Sequence, residues 1–490
     1  MTHDGTHASK VVNPRPLPWP DMDAAASWAD RALDTAQPGV LWSEHPDRPD
    51  ATEPWSGTGR ADLVVVGGGY TGLWAALQAK EDDPDLDVVV VESGRIAAQA
   101  SGRNGGFLSS SLTHGIENGI DRFPDQIHEL VAVGNRNMEG FVATLDRHGI
   151  DAGLDLSGTL WVADEPWQLE GIAETVEALR AHGERAEPLD RDGVRAQLDS
   201  PTFLGGAQVH TGEGLVDPAR LAWGLAAACR SLGVRVHEHS PVVGLSRHGA
   251  GMEVRTERGS IHAGAVVLAT GAFPSPVRAV NRRVVPVYDY VLATEPLSSE
   301  QLASLGWSRR QGVSDCANQF HYYRLTEDDR IVWGGYDAVF HNWGRIDPAL
   351  DQRPATHRKL AQHFFRTFPQ LEGLHFTHRW GGVIDTSTRF SVGFGTAFDG
   401  RVAYAVGYTG LGVGATRFGA RVCVDLLYRP ESELLRLDLV RTGLLPFPPE
   451  PIRTAGIQLT RRAIARADER QGRRGPWLRL LDRLGLGFDS

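Results

Sequence analysis

Gly67, Gly69 and Gly72 stand at the spacing G-x-G-x-x-G, and an acid, Glu92, follows twenty residues after the last of them. Residues without side chains at this spacing let the main chain approach phosphate. Gly67 permits the tight turn, Gly69 lets a pyrophosphate close in, and Gly72 lets a helix pack on the preceding strand. Tyr70 and Thr71 fill the turn that leads into that helix, whose free N–H groups and positive dipole end suit phosphate. Glu92, with Ser93 beside it, stands at the right distance to hydrogen-bond the two hydroxyls of an adenosine ribose. A carboxylate there repels a 2′-phosphate, which favours FAD or NAD over NADP.

Three more segments carry chemistry. The run 97–107 reads AAQASGRNGGF. Ser101, Asn104, Gly105 and Gly106 offer small side chains and amides against which a flat ring can lie, and Arg103 is expected to meet phosphate. The run 266–271, VVLATG, is an apolar strand that ends at Thr270 and Gly271. In GYTGLGVGAT, Gly410, Leu411, Gly412 and Val413 lead into a long helix. Its N-terminal dipole would stabilise negative charge on a reduced ring. For a substrate, the most informative segment is His321, Tyr322, Tyr323 and Arg324. Strand alternation puts His321 and Tyr323 on one face and Tyr322 and Arg324 on the other. Arg324 suits a planar carboxylate, with a structural ion pair as the rival reading. His321, or a water, would accept a proton. Tyr288 and Tyr290 form either an aromatic cage for a cation or ordinary core, and Trp380 either walls the ring or is a plain buried tryptophan.

The elements that must position these residues follow from periodicity. Apolar strands at 63–66 and 87–91 flank a helix at 73–80, a β–turn–α–β unit. Helical periodicity marks 122–149, 166–183, 357–367 and 221–232, the last closed by Gly233. Strands are expected at 154–164, 234–237 and 242–245, in a hairpin at 252–262, and at 265–269. The stretch 284–340 is β-rich and aromatic, with more strands at 375–393 and 401–407. The fold class is therefore α/β plus α+β, a Rossmann-like dinucleotide domain interleaved with a β-rich substrate domain. The expected division is an arm at 1–60, with Trp19, Trp28, Trp42 and Trp55 draped over the body and a short helix at 24–33. A nucleotide domain takes 61–150, 206–283 and 396–430, a substrate domain takes 151–205 and 284–395, and a basic extension takes 431–490. That extension is expected to dock on the chain's own acidic body, with an anionic lipid surface or acidic partner as the rival.

Composition bounds the classes. A chain of 490 residues with 41% hydrophobic and 23% charged residues can bury a large core. A net charge of −11 argues against nucleic acid as the main partner. Cys229, Cys316 and Cys423 have no metal-ligand spacing, no metal is expected, and their scarcity suits a reducing cytoplasm. The N-terminus lacks the apolar core of an export signal, and no apolar run is long enough to span a bilayer.

GGGYTG, the acid Glu92, SGRNGG, ATG and GYTGLGVG in this order resemble the D-amino-acid-oxidase-type flavoproteins. Within them the chain is most similar to gamma-glutamylputrescine oxidase-like proteins, for which SGRNGG is distinctive. The resemblance covers about residues 60–430. It implies extended FAD, a separate β-rich substrate domain, and oxidation of a C–N bond in a small amine by hydride transfer to the flavin, with imine hydrolysis afterwards. An amino-acid oxidase with Arg324 on the α-carboxylate is the runner-up, and an NAD-binding module without flavin chemistry the rival. The resemblance also places Val242, in HSPVV, at the adenine. Trp380 stands where sarcosine-oxidase-like relatives carry a flavin-linking cysteine, and the loop after Glu92 has no histidine, so FAD is expected to be non-covalent. Leu411 replaces a histidine common in close relatives. None of the three lysines, Lys10, Lys80 and Lys359, lies in a candidate site segment, which leaves oxidase versus dehydrogenase open.

Overall fold

The structure, a computed structural model, describes residues 22–486. Trp19, Lys10 and the reading of the extreme N-terminus as no export signal lie outside the described residues.

The glycine turn sits in a largely parallel sheet. Strand Gly57–Val66 lies between Val88–Val91 and Gly259–Leu268, parallel to both, and Arg235–His237 extends the sheet beyond Val88–Val91. Leu63 to Val66 and Val88 to Val91 are buried, as strands covered on both faces must be. Each such side chain contributes about 1.5–3 kcal/mol on burial. Helix Tyr70–Asp82 is buried from Tyr70 to Lys80. It packs against Pro218–Ser231 and Gly412–Tyr428, and its alanines and glycine allow helices to crowd it from two sides.

The stretch 259–268 is one ten-residue strand, where the sequence suggested two pieces. Its first half pairs antiparallel with Gly251–Thr256 and its second half parallel with Val402–Val406. One strand therefore serves two neighbours along the same edge.

The second sheet has nine strands in the order Gln37–Pro38, Phe376–Ser387, Val284–Thr294, Ile331–Gly335, His321–Leu325, Gly312–Asp315, Thr159–Ala163, Gly205–Val209 and Ala186–Asp190. Three details differ from the expected division. Gly205–Val209 belongs to this sheet, and Gly393–Ala397 pairs with Val402–Val406 in the nucleotide sheet. The arm contributes Gln37–Pro38, parallel to Phe376–Ser387. Behind the sheet, Trp333, Tyr323, Phe364 and Phe368 form an aromatic core under helix Pro354–Thr367.

The extension is two helices, Ile452–Asp468 and Pro476–Arg483, docked on the substrate side. Arg461 pairs with Asp337 at 3.0 Å, and Asp468 accepts the amides of Asn318 and Gln319, each at 3.0 Å. The inward face thus makes one contact through a basic group on an acid of the body and others through its own acid on backbone amides.

Candidate functional site

The turn is built as its spacing requires. Gly67 has φ +113°, and a Cβ there would stand 2.4 Å from Ala269 O. At Gly72 a Cβ would stand 1.9 Å from Gly67 O. Neither position tolerates a side chain, and both act by shaping the turn. Tyr70 N donates to Ser101 Oγ at 3.0 Å, which brings the SGRNGG loop onto the helix start. Glu92 accepts the Gly68 amide at 2.7 Å with one oxygen, and the Gly94 amide at 2.8 Å and the Ser93 hydroxyl at 3.0 Å with the other. Its carboxylate is thereby held rigidly at the strand end. His239 N and Ser240 N donate to Gly94 O and Glu92 O, so the chain entering Val242–His248 runs beside the acid. Val242 itself is half-buried.

A cavity of about 1210 Å³ opens between the two sheets. Gly69, Tyr70 and Thr71 line it from the turn, and Ser101, Asn104 and Gly105 from the loop. Gly271 and the run Gly410, Leu411, Gly412 and Val413 line it from below. Gly67, Gly72, Glu92, Ser93, Gly106, Val242 and Thr270 lie outside its walls, most of them in the turn and strand ends that frame it.

FAD fits these residues on three observations. Helices Tyr70–Asp82 and Gly412–Tyr428 both begin without a side-chain cap, leaving N–H groups toward the cavity. The Thr270 hydroxyl is buried without a partner beside the turn. A Cβ at Gly69 would meet Ser101 Oγ at 2.9 Å, so only a bare main chain leaves the cradle open.

Two indoles fix the SGRNGG loop, the candidate bed for a flavin ring. Trp42 of the arm donates to Asn104 O at 2.9 Å, and Trp380 donates to Arg103 O at 2.9 Å. Trp380 does not line the cavity; it holds the loop instead of walling the ring. Arg103 lines the cavity but donates to Asp351, to Gly381 O and to Ala98 O. Its guanidinium ties the loop to the substrate sheet, not to phosphate.

On the substrate sheet, pairing register decides which side chains face inward. Val291 pairs with Trp380 and Gly334, and Gly334 pairs with Tyr322, so Tyr322 stands in the inward row. Asp289 follows two residues before Val291 on the same face. Tyr322 OH donates to Asp289 Oδ2 at 2.5 Å, and both residues line the cavity. The Tyr322 ring wedges where a Cβ on Gly105 or Gly334 would be 2.5 Å away. Burial pushes the Asp289 carboxyl up to about 6, against the hydrogen bond from Tyr322. Asp385, also on the wall, accepts the Gly407 amide at 2.6 Å, and burial raises it to about 6. Neither acid has a spacing signal in the sequence. The one clue is an acid set among buried apolar strand residues.

The expected substrate residues lie elsewhere. His321 and Tyr323 take the outward face, as alternation required, but that is the face turned from the cavity. His321 is bonded to Asp315 Oδ2 at 2.6 Å and His363 Nδ1 at 2.9 Å. Tyr323 stacks on Trp333 at 4.5 Å. Tyr288 and Tyr290 stack at 6.3 Å within the same rear core; Tyr288 reaches the cavity wall and Tyr290 does not. Arg324 sits beneath the loop, over the Trp42 ring at 5.7 Å, and donates to Val216 O at 2.6 Å. Burial pulls its guanidinium down to about 10. It holds the loop's floor and is screened from any ligand. Arg324→Gln is expected to cost about 1.5–3 kcal/mol of stability through the lost charged hydrogen bond, read as a lower denaturant midpoint. Affinity for carboxylate-bearing compounds should not change.

The three arginines among the lining residues, Arg103, Arg453 and Arg461, are each paired with a carboxylate, namely Asp351, Glu450 and Asp337. No lysine lines the cavity among the described residues: Lys80 donates to Pro84 O and Leu86 O, and Lys359 lies over the Tyr336 ring.

Comparison with known proteins identifies the family. A family model described as FAD dependent oxidoreductase (DAO) matches residues 62–426. Gamma-glutamylputrescine oxidoreductase of Escherichia coli is 33% identical over 372 residues, covering 75% of this chain and 83% of that protein. A probable oxidoreductase, OrdL, of Haemophilus influenzae is 28% identical over 387 residues, covering 76% and 84%. Among solved structures, glycine oxidase from Geobacillus kaustophilus superposes with a TM-score of 0.65 at 20% identity, covering 78% of this chain and 99% of that one. The family match overturns the rival reading of a nicotinamide-binding module without flavin chemistry. The chain belongs to the DAO family of FAD-dependent oxidoreductases.

Proposed function

We propose that this enzyme oxidises the C–N bond of a primary or secondary amine, using non-covalent FAD, and that the imine formed is hydrolysed afterwards. The observation that carries this reading is the Asp289–Tyr322 pair on the cavity wall facing the ring-bed loop. FAD, when bound, would supply the acceptor for the hydride of the carbon that bears nitrogen. The residues supply what surrounds that step. Asp289, ionised above about pH 6, attracts an ammonium group and fixes it through charge. The amine must lose a proton before it gives up hydride, and the Asp289 carboxylate stands ready to hold it in place of His321. The apolar side chains of Val287, Val291 and Ile384, lining the same wall, exclude water from the reacting carbon.

An α-amino acid is a poorer fit, because Arg324 is out of reach and the arginines that line the cavity are already paired. The name of the Escherichia coli relative, with an amine derivative as substrate, points the same way. Non-covalent attachment is supported by Trp380 at the position of the linking cysteine and by Cys316. That cysteine lines the cavity, but burial and the neighbouring Asp315 push its thiol well up, so no thiolate forms near neutral pH. The three cysteines are free, which fits a reducing compartment.

Two measurements test the reading. Acid denaturation should release all the flavin into the supernatant. Under anaerobic conditions a panel of amines should bleach the flavin while α-amino acids leave it oxidised; bleaching by amino acids alone would reverse the assignment.

The pH dependence has a definite sign. The Asp289 carboxyl is raised from 3.8 to about 6 in the folded chain. Its contribution to stability is therefore fully present below pH 3.8 and lost as pH rises through about 6. Activity runs the opposite way, because the ionised form is needed. kcat/KM is expected to fall about tenfold for each pH unit below about 6. A flat profile across that range would remove Asp289 from the reaction.

A further inference from the structure

The C-terminal helices have two unlike faces. Inward, Ile457, Thr460, Ile464, Trp477 and Leu481 close one side of the cavity, and Trp477 Nε1 donates to Thr460 Oγ1 at 3.0 Å. Outward, helix Ile452–Asp468 exposes Leu459, Arg462 and Arg466, a single stripe at helical spacing. The second helix and its end expose Arg479, Leu480, Arg483 and Leu484, again one face. Among the described residues ten large apolar side chains are exposed, and five of them fall between Leu445 and Leu484. The segment 452–486 carries nine arginines and three acids, in a chain whose net charge is −11. Its positive charge is thus local to this face.

Arginine also gathers at one point on it. Arg470, Arg473, Arg474 and Arg479 surround a depression of about 490 Å³ where helix Pro476–Arg483 begins, with Glu469 the one acid on its rim. That helix start has no side-chain cap. Among the described residues, only Arg474 of these four has its charge met by a carboxylate, Asp482 at 2.8 Å. The planar guanidinium fork matches phosphate oxygens, and an uncapped helix start favours negative charge.

We propose that this outward face docks on an anionic lipid bilayer, with phosphodiester headgroups in the arginine depression and Leu459, Leu480 and Leu484 entering the acyl boundary. Leucine and arginine interleaved on one exposed helical face is the pattern of shallow interfacial insertion. An acidic protein would be met by the arginines but would leave the leucines without a role. No helix among the described residues is long and apolar enough to cross a membrane, so the association is peripheral. The extension lies beyond the residues that the family model matches, 62–426, so the surface is added to the shared fold. This inference does not depend on which substrate the cavity takes.

The test is co-sedimentation of the flavin-loaded protein with vesicles. Binding is expected with vesicles of phosphatidylcholine containing phosphatidylglycerol, and not with phosphatidylcholine alone. The double variant Arg473→Gln/Arg479→Gln should weaken the partition roughly thirtyfold, at about 1 kcal/mol per charge. The variant Leu480→Ser/Leu484→Ser should weaken it as well, and both should keep full flavin absorbance, since none of these side chains lines the main cavity. The proposal is overturned if the wild type stays in the supernatant with phosphatidylglycerol vesicles at low salt. It is equally overturned if both variants bind as the wild type does, or if light scattering shows that the face joins two copies of the chain while vesicles go unbound.

Discussion

Purified Gly72→Ala protein is expected to be nearly colourless. With the main chain in place, the new Cβ would stand 1.9 Å from Gly67 O and 3.1 Å from Val65 Cγ1. A backbone carbonyl cannot swing aside as a long side chain can, so the helix start has to move off the strand. That displacement takes the free N–H groups of Tyr70–Asp82 away from where the pyrophosphate must lie. Forcing atoms into a packed site costs about 1–3 kcal/mol or more. Flavin content, read as the ratio of visible to ultraviolet absorbance, should fall at least about tenfold. Gly410→Ala is the control. Unlike Gly72 it has a positive φ, +93°, which strains an alanine, but nothing lies within 4 Å of its Cβ, so it should lose far less flavin. A yellow, fully loaded Gly72→Ala protein would show that the turn is not the dinucleotide cradle.

Asp289→Asn should keep its flavin and lose turnover. The asparagine has the same shape and its one carbonyl oxygen can still accept from Tyr322, with loss of the bond from Tyr290 N, so the cavity wall keeps its shape. What disappears is the negative charge that attracts an ammonium group and the base that can hold its proton. General base assistance contributes about a hundred- to ten-thousandfold, and a loss in kcat/KM of about a hundred- to a thousandfold is expected. Tyr322→Phe separates the pair's two roles. It keeps the ring between Gly105 and Gly334 but deletes a hydrogen bond that favours the ionised carboxylate, so the acidic limb of the pH profile should shift upward. His321→Asn should move that limb less, because His321 faces Asp315 and His363 behind the sheet and reaches Asp289 only through charge, the smallest of the named influences on it. Unchanged turnover in Asp289→Asn would move the base elsewhere.

The nucleotide half was readable because its constraints are local. Gly67, Gly69 and Gly72 are dictated by clashes a few atoms away, and the valines at 88–91 by burial on both faces. The substrate half was readable only to the level of alternation. His321 and Tyr323 were correctly set opposite Tyr322 and Arg324. Which pair faces the cofactor depends on Gly334, Val291 and Trp380, partners brought together by a strand order that no short window of sequence contains. Arg324 illustrates a second limit: it has the inward orientation, yet the loop above it, through Gly106 and Trp42, seals it off. Asp289 and Asp385 escaped notice because a lone acid in a strand has no spacing to recognise. The basic character of the extension was plain, but its apolar inner face became meaningful only beside the cavity it closes.

Trp42 and Trp380 come from segments more than three hundred residues apart, yet both hold consecutive carbonyls of one loop. The bed beneath the ring is thus complete only when the arm, the nucleotide sheet and the substrate sheet have met. By linkage, a ligand that binds only the assembled form also stabilises that assembly. FAD bound in this cavity would therefore act as a fastener between the two halves of the molecule, its binding energy shared out as cohesion across the cleft that the substrate would enter.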